Sequence, residues 1–225
     1  MKAFIKHHLI YLLFYLALLG YTGNILLSDG KVQIHKAMNA AVGNPLFDAF
    51  FKYMTHLGDG LLALIVAGIF LFFSVRQSLY ILLSYAGAGL VSYILKHVLY
   101  DDIYRPHFVF QYFVGEPMKE VAGVDLAGFH SFPSGHALSA FALFFCLLFL
   151  TNNHLLKFSC FILAVLAAYS RVYLSQHWLI DIYVGSIIGF SFSLVLYPLF
   201  YQSDKWPWLN TTLPTLLSNK NSKRV

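Results

Sequence analysis

The sequence predicts an all-α membrane protein, a polytopic bundle of about six transmembrane helices with an interfacial amphipathic helix between the first two. The first observation behind this prediction is composition, because 59% of the 225 residues are hydrophobic and only 11% are charged, with a mean hydropathy of +0.67. In soluble domains about a quarter of the residues are charged. The second observation is a series of long apolar runs, which are typical of a polytopic membrane protein.

Six apolar runs are candidate spans, because a helix needs roughly 20 apolar residues to cross a bilayer. They comprise residues 9–27, 61–75, 79–99, 137–150 with its flanks, 155–174 and 179–200. The first run is long for a signal peptide and no convincing cleavage site follows it, so we interpret it as a retained span. The fourth run is short, and its polar beginning, Ser134 to His136, is therefore expected at membrane depth against protein or water.

Basic residues divide unequally between the two ends of such a bundle. An even number of spans places both termini at one end, which then carries Lys2, Lys6, Arg76, Lys157, Lys205, Lys220, Lys223 and Arg224. Once the candidate site residues Lys96, Arg105 and Arg171 are set aside, the opposite end carries only Lys31, Lys36, Lys52 and Lys119. The positive-inside rule then predicts that both termini are cytoplasmic and that the site faces the outside. We expect a single membrane domain at 1–201 and a polar cytoplasmic tail at 202–225.

Two segments between the spans carry patterns of their own. In residues 31–56, apolar side chains at helical spacing follow a Gly-Asn-Pro break, which predicts the interfacial amphipathic helix. This helix either lies on the bundle as a capping segment or borders an access route for a lipid substrate. The connection at 100–132 is long, and both of its ends touch candidate site residues, which favours a lid or a role in headgroup recognition.

Charge and cysteine content exclude several other classes of protein. The net charge of +5 comes from basic residues scattered along loop ends, which indicates a bilayer with anionic lipid as partner and no nucleic acid. Cys146 and Cys160 both lie inside apolar runs and form no CxxC or zinc-binding spacing, so we interpret them as inert core thiols. The sequence does not indicate an oligomeric state.

A small polar motif, Pro133-Ser134-Gly135-His136, stands at the start of the apolar run 137–150. Unpaired backbone N–H groups and the positive dipole end make a helix N-terminus a binding site for anions, and glycine lets the anion approach closely. The same residue types are also ordinary helix caps, so a purely structural role is the alternative. The motif therefore predicts a cradle for phosphate or a cap.

A second polar segment favours the phosphate cradle. Ser170-Arg171 is followed by His177 and Asp181 beside another apolar run, where charged residues are costly and usually functional. His177 and Asp181 are four residues apart and share one face of a helix, so the carboxylate can hold one imidazole nitrogen and leave the other free as a nucleophile. A purely structural buried triad with Arg171 is the alternative.

These residues together predict phosphoryl transfer. Attack by His177 on phosphorus forms a phosphohistidine, while Asp181 fixes the tautomer of the imidazole. The leaving alkoxide needs a proton, and His136 is the candidate general acid and later general base. Candidates for neutralising the phosphoryl oxygens are Lys96, Arg105 and Arg171. A zinc site on the two histidines and Asp181 is disfavoured, because these three cations would repel a metal ion.

Three segments, residues 96–106, 133–136 and 170–181, resemble the signature of the type 2 phosphatidic acid phosphatase superfamily, the metal-independent lipid phosphate phosphatases related to vanadium haloperoxidases. The resemblance covers about residues 55–200. It implies a helical bundle with an outward-facing site and with neither a metal nor a cofactor. It also implies His177 as nucleophile, Asp181 as its partner, His136 as general acid, and a phosphate-binding set of Lys96, Arg105, Ser134, Gly135 and Arg171.

The first of these segments departs from the family pattern, which has six residues between its lysine and the Arg-Pro pair. Here eight residues, 97–104, separate Lys96 from Arg105. Two extra residues must bulge out as the helix ends, and the flexible stem of Lys96 can still carry its ammonium group to the phosphate. The alternative for Lys96 is a snorkelling lysine at the end of a span.

The function predicted from the sequence is hydrolysis of a lipid phosphate monoester or diphosphate, with undecaprenyl diphosphate, phosphatidylglycerol phosphate and lipid A phosphates as candidate substrates. Compact size and family resemblance favour the inner membrane of a bacterium, with the site facing the periplasm. A lipid phosphotransferase that uses the same site is an alternative. An anion or lipid transporter is disfavoured because the charged residues gather at one end of the bundle, and an inactive scaffold because every expected catalytic residue is present.

Overall fold

The computed structural model describes residues 2–100, 102–201 and 206–221, and within these ranges every regular element is a helix. The first five are α1 (Lys2–Ser28), α2 (Lys31–Asn39), α3 (Pro45–Met54) with a 3₁₀ turn (Thr55–Gly58), α4 (Gly60–Leu71) and α5 (Val75–Ile94) with a π-helical end (Leu95–Leu99). The others are α6 (Pro106–Val109) with a π turn (Phe110–Val114), α7 (Gly135–Leu150), α8 (His154–Tyr173), α9 (Leu179–Tyr201), a 3₁₀ turn (Pro207–Leu209) and α10 (Leu213–Asn221). The all-α prediction is confirmed.

Four of the described helices are long and apolar enough to cross a bilayer, namely α1, α5 with its π-helical end, α8 and α9. α3 with its 3₁₀ turn meets α4 at a bend of 54°, and the pair adds a fifth span if it is counted as one. α7 has 16 residues and is short for a full span. The polytopic membrane architecture is confirmed, whereas the number of six spans stays a prediction.

Local capping explains why the second and third spans differ from their predicted bounds. The sequence predicts a run at 61–75, but α4 ends at Leu71 and Val75 already begins α5. Ser74 caps α5, because its hydroxyl accepts from the Gln77 N–H at 3.3 Å. The predicted boundary inside this stretch is therefore wrong by several residues.

The predicted amphipathic segment, 31–56, forms two helices, α2 and α3, instead of one. Asn44 caps α3, since its side-chain oxygen accepts from the N–H groups of Leu46 at 3.0 Å and of Phe47 at 3.4 Å. None of the side chains of α3 is fully buried, and several of its large apolar ones are exposed. The amphipathic pattern is thus present in α3, and its location at a membrane interface stays a prediction.

α7 lies at the centre of the bundle and packs against α5, α8 and α9. Most of its side chains are buried. α9 approaches α7 closely, since a Cβ atom on Gly185 would lie 2.6 Å from the carbonyl oxygen of Ser134, and one on Gly189 would lie 2.3 Å from that of Leu138. Glycine therefore allows backbone contact between the helix that Ser134 begins and the helix that carries Asp181.

The two ends of the bundle hold different segments. At one end, His7 hydrogen-bonds to Asn152 at 2.9 Å, and Arg76 donates to the carbonyl oxygen of Phe200. We call this the terminal end, and the residues 206–221 dock against it through Arg76 and Asn210 at 3.0 Å. Residues 202–205 and 222–225 of the predicted tail lie outside the described residues. The opposite end, with α2, α3 and the connection 100–132, is the site end.

Candidate active site

The predicted site residues come together at the site end, where α8 ends and where α7 and α9 begin. A tight turn at 174–178 joins α8 to α9, and Ser175 within it has a φ of +56°. This left-handed conformation lets the backbone reverse, and the N–H of His177 donates to the carbonyl oxygen of Arg171 at 3.1 Å. The turn therefore carries His177 directly beside the first turn of α9.

His177 and Asp181 form the buried pair that their spacing predicts. Nδ1 of His177 lies 3.3 Å from Oδ2 of Asp181, and the two side chains are 2% and 1% exposed. The same carboxylate oxygen accepts from the Trp178 N–H at 2.9 Å and from the hydroxyl of Ser131. The carboxylate is therefore fixed by its neighbours and in turn orients the imidazole of His177.

Burial and nearby positive charges together set the protonation state of His177. Burial holds the pKa of His177 well below its usual value of 6.5, and the positive charges of Arg105, Arg171 and Lys96 lower it further. The imidazole is therefore neutral at neutral pH. With the proton on Nδ1 and directed at Asp181, the lone pair lies on Nε2, which is the form that a histidine nucleophile requires.

The start of α7 combines a cap with a pocket. Ser134 is fully buried and caps α7, because its hydroxyl accepts from the Ala137 N–H at 3.4 Å. Gly135 and His136, the first residues of α7, line a pocket of about 330 Å³ that Lys96 also lines. The structural role of Ser134 is thus present, and the structure also brings Gly135, His136 and Lys96 to one cavity at a helix N-terminus.

Arg105 is held by the turn that carries His177. Its guanidinium donates to the side-chain oxygen of Gln176 at 2.8 Å, to the main-chain oxygen of the same residue at 3.2 Å, and to the carbonyl oxygen of Phe129 at 2.9 Å. The side-chain amide of Gln176 donates to the carbonyl oxygen of Asp125. The segment 105–129 is therefore fastened to the turn at 174–178.

Arg171 is buried and only partly paired. Its Nη1 donates to the hydroxyl of Thr55 at 2.8 Å, and among the described residues no acceptor pairs with its Nε. A buried guanidinium with a free donor favours an anionic ligand, because leaving such a donor unpaired is costly.

Lys96 reaches the site although its spacing to Arg105 is long. It lies in the π-helical end of α5, where the N–H of Tyr100 donates to the carbonyl oxygen of Leu95 at 2.8 Å. A π-helical turn takes up an extra residue within a helix, and so it absorbs part of the longer spacing. The structure brings Lys96 to the pocket, and its contact with substrate stays a prediction.

Four polar residues of the site carry no motif that sequence analysis detects. They are Thr55 on Arg171, Asp59 on His136, Ser131 on Asp181 and Gln176 on Arg105. Ser131 lies 50 residues from its partner and Thr55 lies 116 residues from its partner. Only the folded chain brings such residues together, so spacing gives no signal for them.

The site contains a neutral buried histidine, a second histidine paired with a carboxylate, and three cationic side chains. In residues 2–100, 102–201 and 206–221, no group of three or more His, Cys, Asp or Glu side chains is arranged to hold a metal ion. A neutral buried histidine with a second histidine and several cations beside it has the groups that phosphoryl transfer requires.

Comparisons with known proteins identify the family and the fold of the chain. The chain matches the family model of the PAP2 superfamily over residues 77–205. It shares its fold with LpxE from Aquifex aeolicus, with a TM-score of 0.62 and 23% identity over 72% of this chain and 92% of that one. It also shares the fold of a transmembrane PAP2 type phosphatidylglycerolphosphate phosphatase from Bacillus subtilis, with a TM-score of 0.60 and 22% identity over 92% of this chain and 100% of that one. No curated protein matches the chain in sequence.

Proposed function

Because the chain belongs to the PAP2 superfamily, as its motifs predict, we propose that it is an integral membrane phosphatase that hydrolyses a lipid phosphate monoester or diphosphate. The observation that carries this proposal is the buried pair of His177 and Asp181, set beside His136 and three cationic side chains. The name of the phosphatidylglycerolphosphate phosphatase that shares the fold supports a lipid phosphate as substrate.

In the first step, Nε2 of His177 attacks the phosphorus atom, the bond from phosphorus to the leaving oxygen breaks, and a phosphohistidine forms. Asp181 keeps the proton on Nδ1 and stabilises the positive charge that develops on the ring. His136 donates a proton to the leaving oxygen as the bond breaks. The lipid then departs as an alcohol, or as a lipid monophosphate when the substrate is a diphosphate.

Three cations and the start of α7 bind the phosphoryl group in this mechanism. Arg105 and Arg171 direct their guanidinium N–H groups at the phosphoryl oxygens, and Lys96 supplies a point charge. The first N–H groups of α7, beginning at Gly135, have no partner within the helix and point outward with its positive dipole end. Ser134 supports this cradle by capping α7. The negative charge that spreads over the oxygens in the transition state is thereby neutralised.

In the second step, water attacks the phosphohistidine. His136, now neutral, accepts a proton from this water, inorganic phosphate leaves, and His177 is regenerated. An acceptor alcohol in place of water would turn the same site into a phosphotransferase, so release of inorganic phosphate separates the two reactions.

We place this site at the outer face of the inner membrane of a bacterium. The terminal end supports this orientation, because it groups the N-terminal residues with Arg76 and with Lys157, whose ammonium donates to the carbonyl oxygen of His7 at 3.3 Å. The candidate substrates are undecaprenyl diphosphate, phosphatidylglycerol phosphate and the lipid A phosphates. All three present a phosphate at the membrane surface, which is where the site end would meet it.

Phosphate release from these three lipids by the purified protein in detergent tests the proposal. We expect turnover of at least one lipid, loss of that turnover in His177→Ala, and full activity in the control variant His7→Ala, whose imidazole is at the terminal end. Activity should also survive a metal chelator. Consumption of lipid without release of phosphate would contradict hydrolysis, and loss of activity with the chelator would contradict the mechanism.

A further inference from the structure

Asp59 directs its carboxylate at His136 and not at the helix that it precedes. It stands at the N-cap position of α4, where an Asp side chain usually accepts from the first N–H groups, yet it makes no capping hydrogen bond. Instead, its Oδ1 lies 2.9 Å from Nε2 of His136, and its Oδ2 lies 3.1 Å from Nδ1 of His56. Both oxygens therefore serve histidines, and one of these histidines is the proposed general acid.

Because the site is positively charged, a protonated His136 requires a carboxylate partner. A general acid must hold its proton when the substrate binds, and nearby positive charges disfavour the protonated imidazole. Arg171 comes close through Thr55, which precedes Asp59 by four residues, and Lys96 lines the same pocket as His136. The other carboxylate of the site, Asp181, is engaged by His177.

The backbone before α4 is packed directly onto His136. A Cβ atom on Gly58 would lie 2.9 Å from the Cβ atom and 2.9 Å from the carbonyl oxygen of His136. Only glycine at this position allows the contact, and the contact places the next residue, Asp59, against the imidazole. The pairing is therefore fixed by backbone packing as well as by the hydrogen bond.

We propose that Asp59 is a positioning residue that orients His136 toward the leaving oxygen and stabilises the protonated imidazole as the bond to that oxygen breaks. This inference rests on the proposed function, because it assigns Asp59 to the step in which the bond from phosphorus to the leaving oxygen breaks. The proton moves from His136 to that oxygen, and Asp59 does not itself transfer a proton to the substrate. His56, whose side chain is 68% exposed, is a second partner that contributes little.

Dependence on the leaving group tests this proposal, because a merely structural role would not produce it. The lipid used in this test is a phosphate monoester, which expels an alkoxide that needs a proton, whereas p-nitrophenyl phosphate expels a phenolate, which does not. For each substrate we compare kcat/KM, which reports formation of the phosphohistidine and not its hydrolysis. In Asp59→Asn we expect kcat/KM to fall about 10- to 100-fold for the lipid and less than about threefold for p-nitrophenyl phosphate.

Three further variants make the result specific. Asp29→Asn replaces an exposed carboxylate at the same end of the bundle and should leave both substrates unaffected. His136→Ala should show the same split between substrates as Asp59→Asn. The double variant should be no worse than His136→Ala alone, because Asp59 acts through His136.

The outcomes separate this inference from the proposed function. If Asp59→Asn lost equal activity on both substrates, or lost none on the lipid, the positioning role would be overturned. Turnover of the lipid by the wild-type protein would still support the proposed phosphatase. Additive losses in the double variant would also overturn it. If the wild-type protein released phosphate from neither substrate, the proposed function would fail and this inference would fall with it.

Discussion

The two histidines of the site are each paired with a carboxylate, but the two pairs are built differently. His177 and Asp181 are four residues apart, and their side chains are almost completely buried. His136 and Asp59 come from different helices, and their side chains are 29% and 42% exposed. The proposed nucleophile thus belongs to a locally formed and buried pair, whereas the histidine proposed to handle protons belongs to a pair that depends on tertiary contact and is partly exposed.

The largest expected effect comes from breaking the buried pair. His177→Ala removes the proposed nucleophile and should lower kcat by at least about 10³-fold. Asp181→Asn keeps the shape but loses the charge that supports the imidazolium, so we expect a loss of about 10²- to 10⁴-fold. Phosphate release from the preferred lipid measures both effects. Activity within threefold of wild type in Asp181→Asn would mean that the pair has only a structural role.

The next largest effects are expected from the cationic side chains near the two histidines. Arg171→Gln removes the buried guanidinium with its free donor and should lower kcat by about 10²- to 10³-fold. Arg171→Lys should restore little of this activity, because an ammonium cannot reproduce the planar fork. Lys6→Gln, which removes an exposed charge at the terminal end, is the control. Full rescue by lysine would show that charge alone suffices.

A smaller loss is expected when Lys96 is replaced. Lys96 lines the same pocket as His136, although the two residues are far apart in sequence. Lys96→Ala should lower kcat/KM about 10-fold or more, because the phosphate loses a point charge in a half-buried site. Lys36→Ala, which breaks the exposed ion pair with Glu116, should have no effect. Unchanged turnover in Lys96→Ala would identify this side chain as a snorkelling lysine instead.

A substitution at Gly58 tests the pair of His136 and Asp59 with the smallest change in side-chain size. Gly58→Ala should lower kcat/KM for the lipid several-fold, because a methyl group at 2.9 Å from His136 must displace either that residue or Asp59. Gly68→Ala in α4 is the matched control, since no atom lies within 4 Å of its added Cβ atom. Equal activity of the two variants would show that the contact with His136 is not needed.

The difference between the local pair and the tertiary pair also explains which parts of the site the sequence predicts. Apolar runs identify the helices, and the spacing of His177 and Asp181 identifies the first pair, because both signals are local. Asp59 and Thr55 give no such signal, since their partners lie on distant helices and only packing brings them together. The end of α4 and the start of α5 were also misplaced in prediction, because the cap at Ser74 begins α5 before the polar residues Arg76 and Gln77, which the sequence suggests as the break.

The spacing between Lys96 and Arg105 shows the limit of motif comparison. Two residues more than the family pattern make Lys96 uncertain as a match, yet the π-helical end of α5 takes up part of the excess and leaves Lys96 on the pocket wall. Irregular helix ends of this kind depend on the balance of local packing and hydrogen bonds, which the sequence alone does not reveal.

The central claim is that His177 becomes phosphorylated during turnover. Rapid acid-free quenching of the protein with ³²P-labelled lipid phosphate, followed by peptide mapping, measures this directly. We expect label that is stable in alkali and labile in acid, on the peptide that contains His177, and none in His177→Ala. Label on His136, or the absence of any covalent label while phosphate is released, would contradict the account.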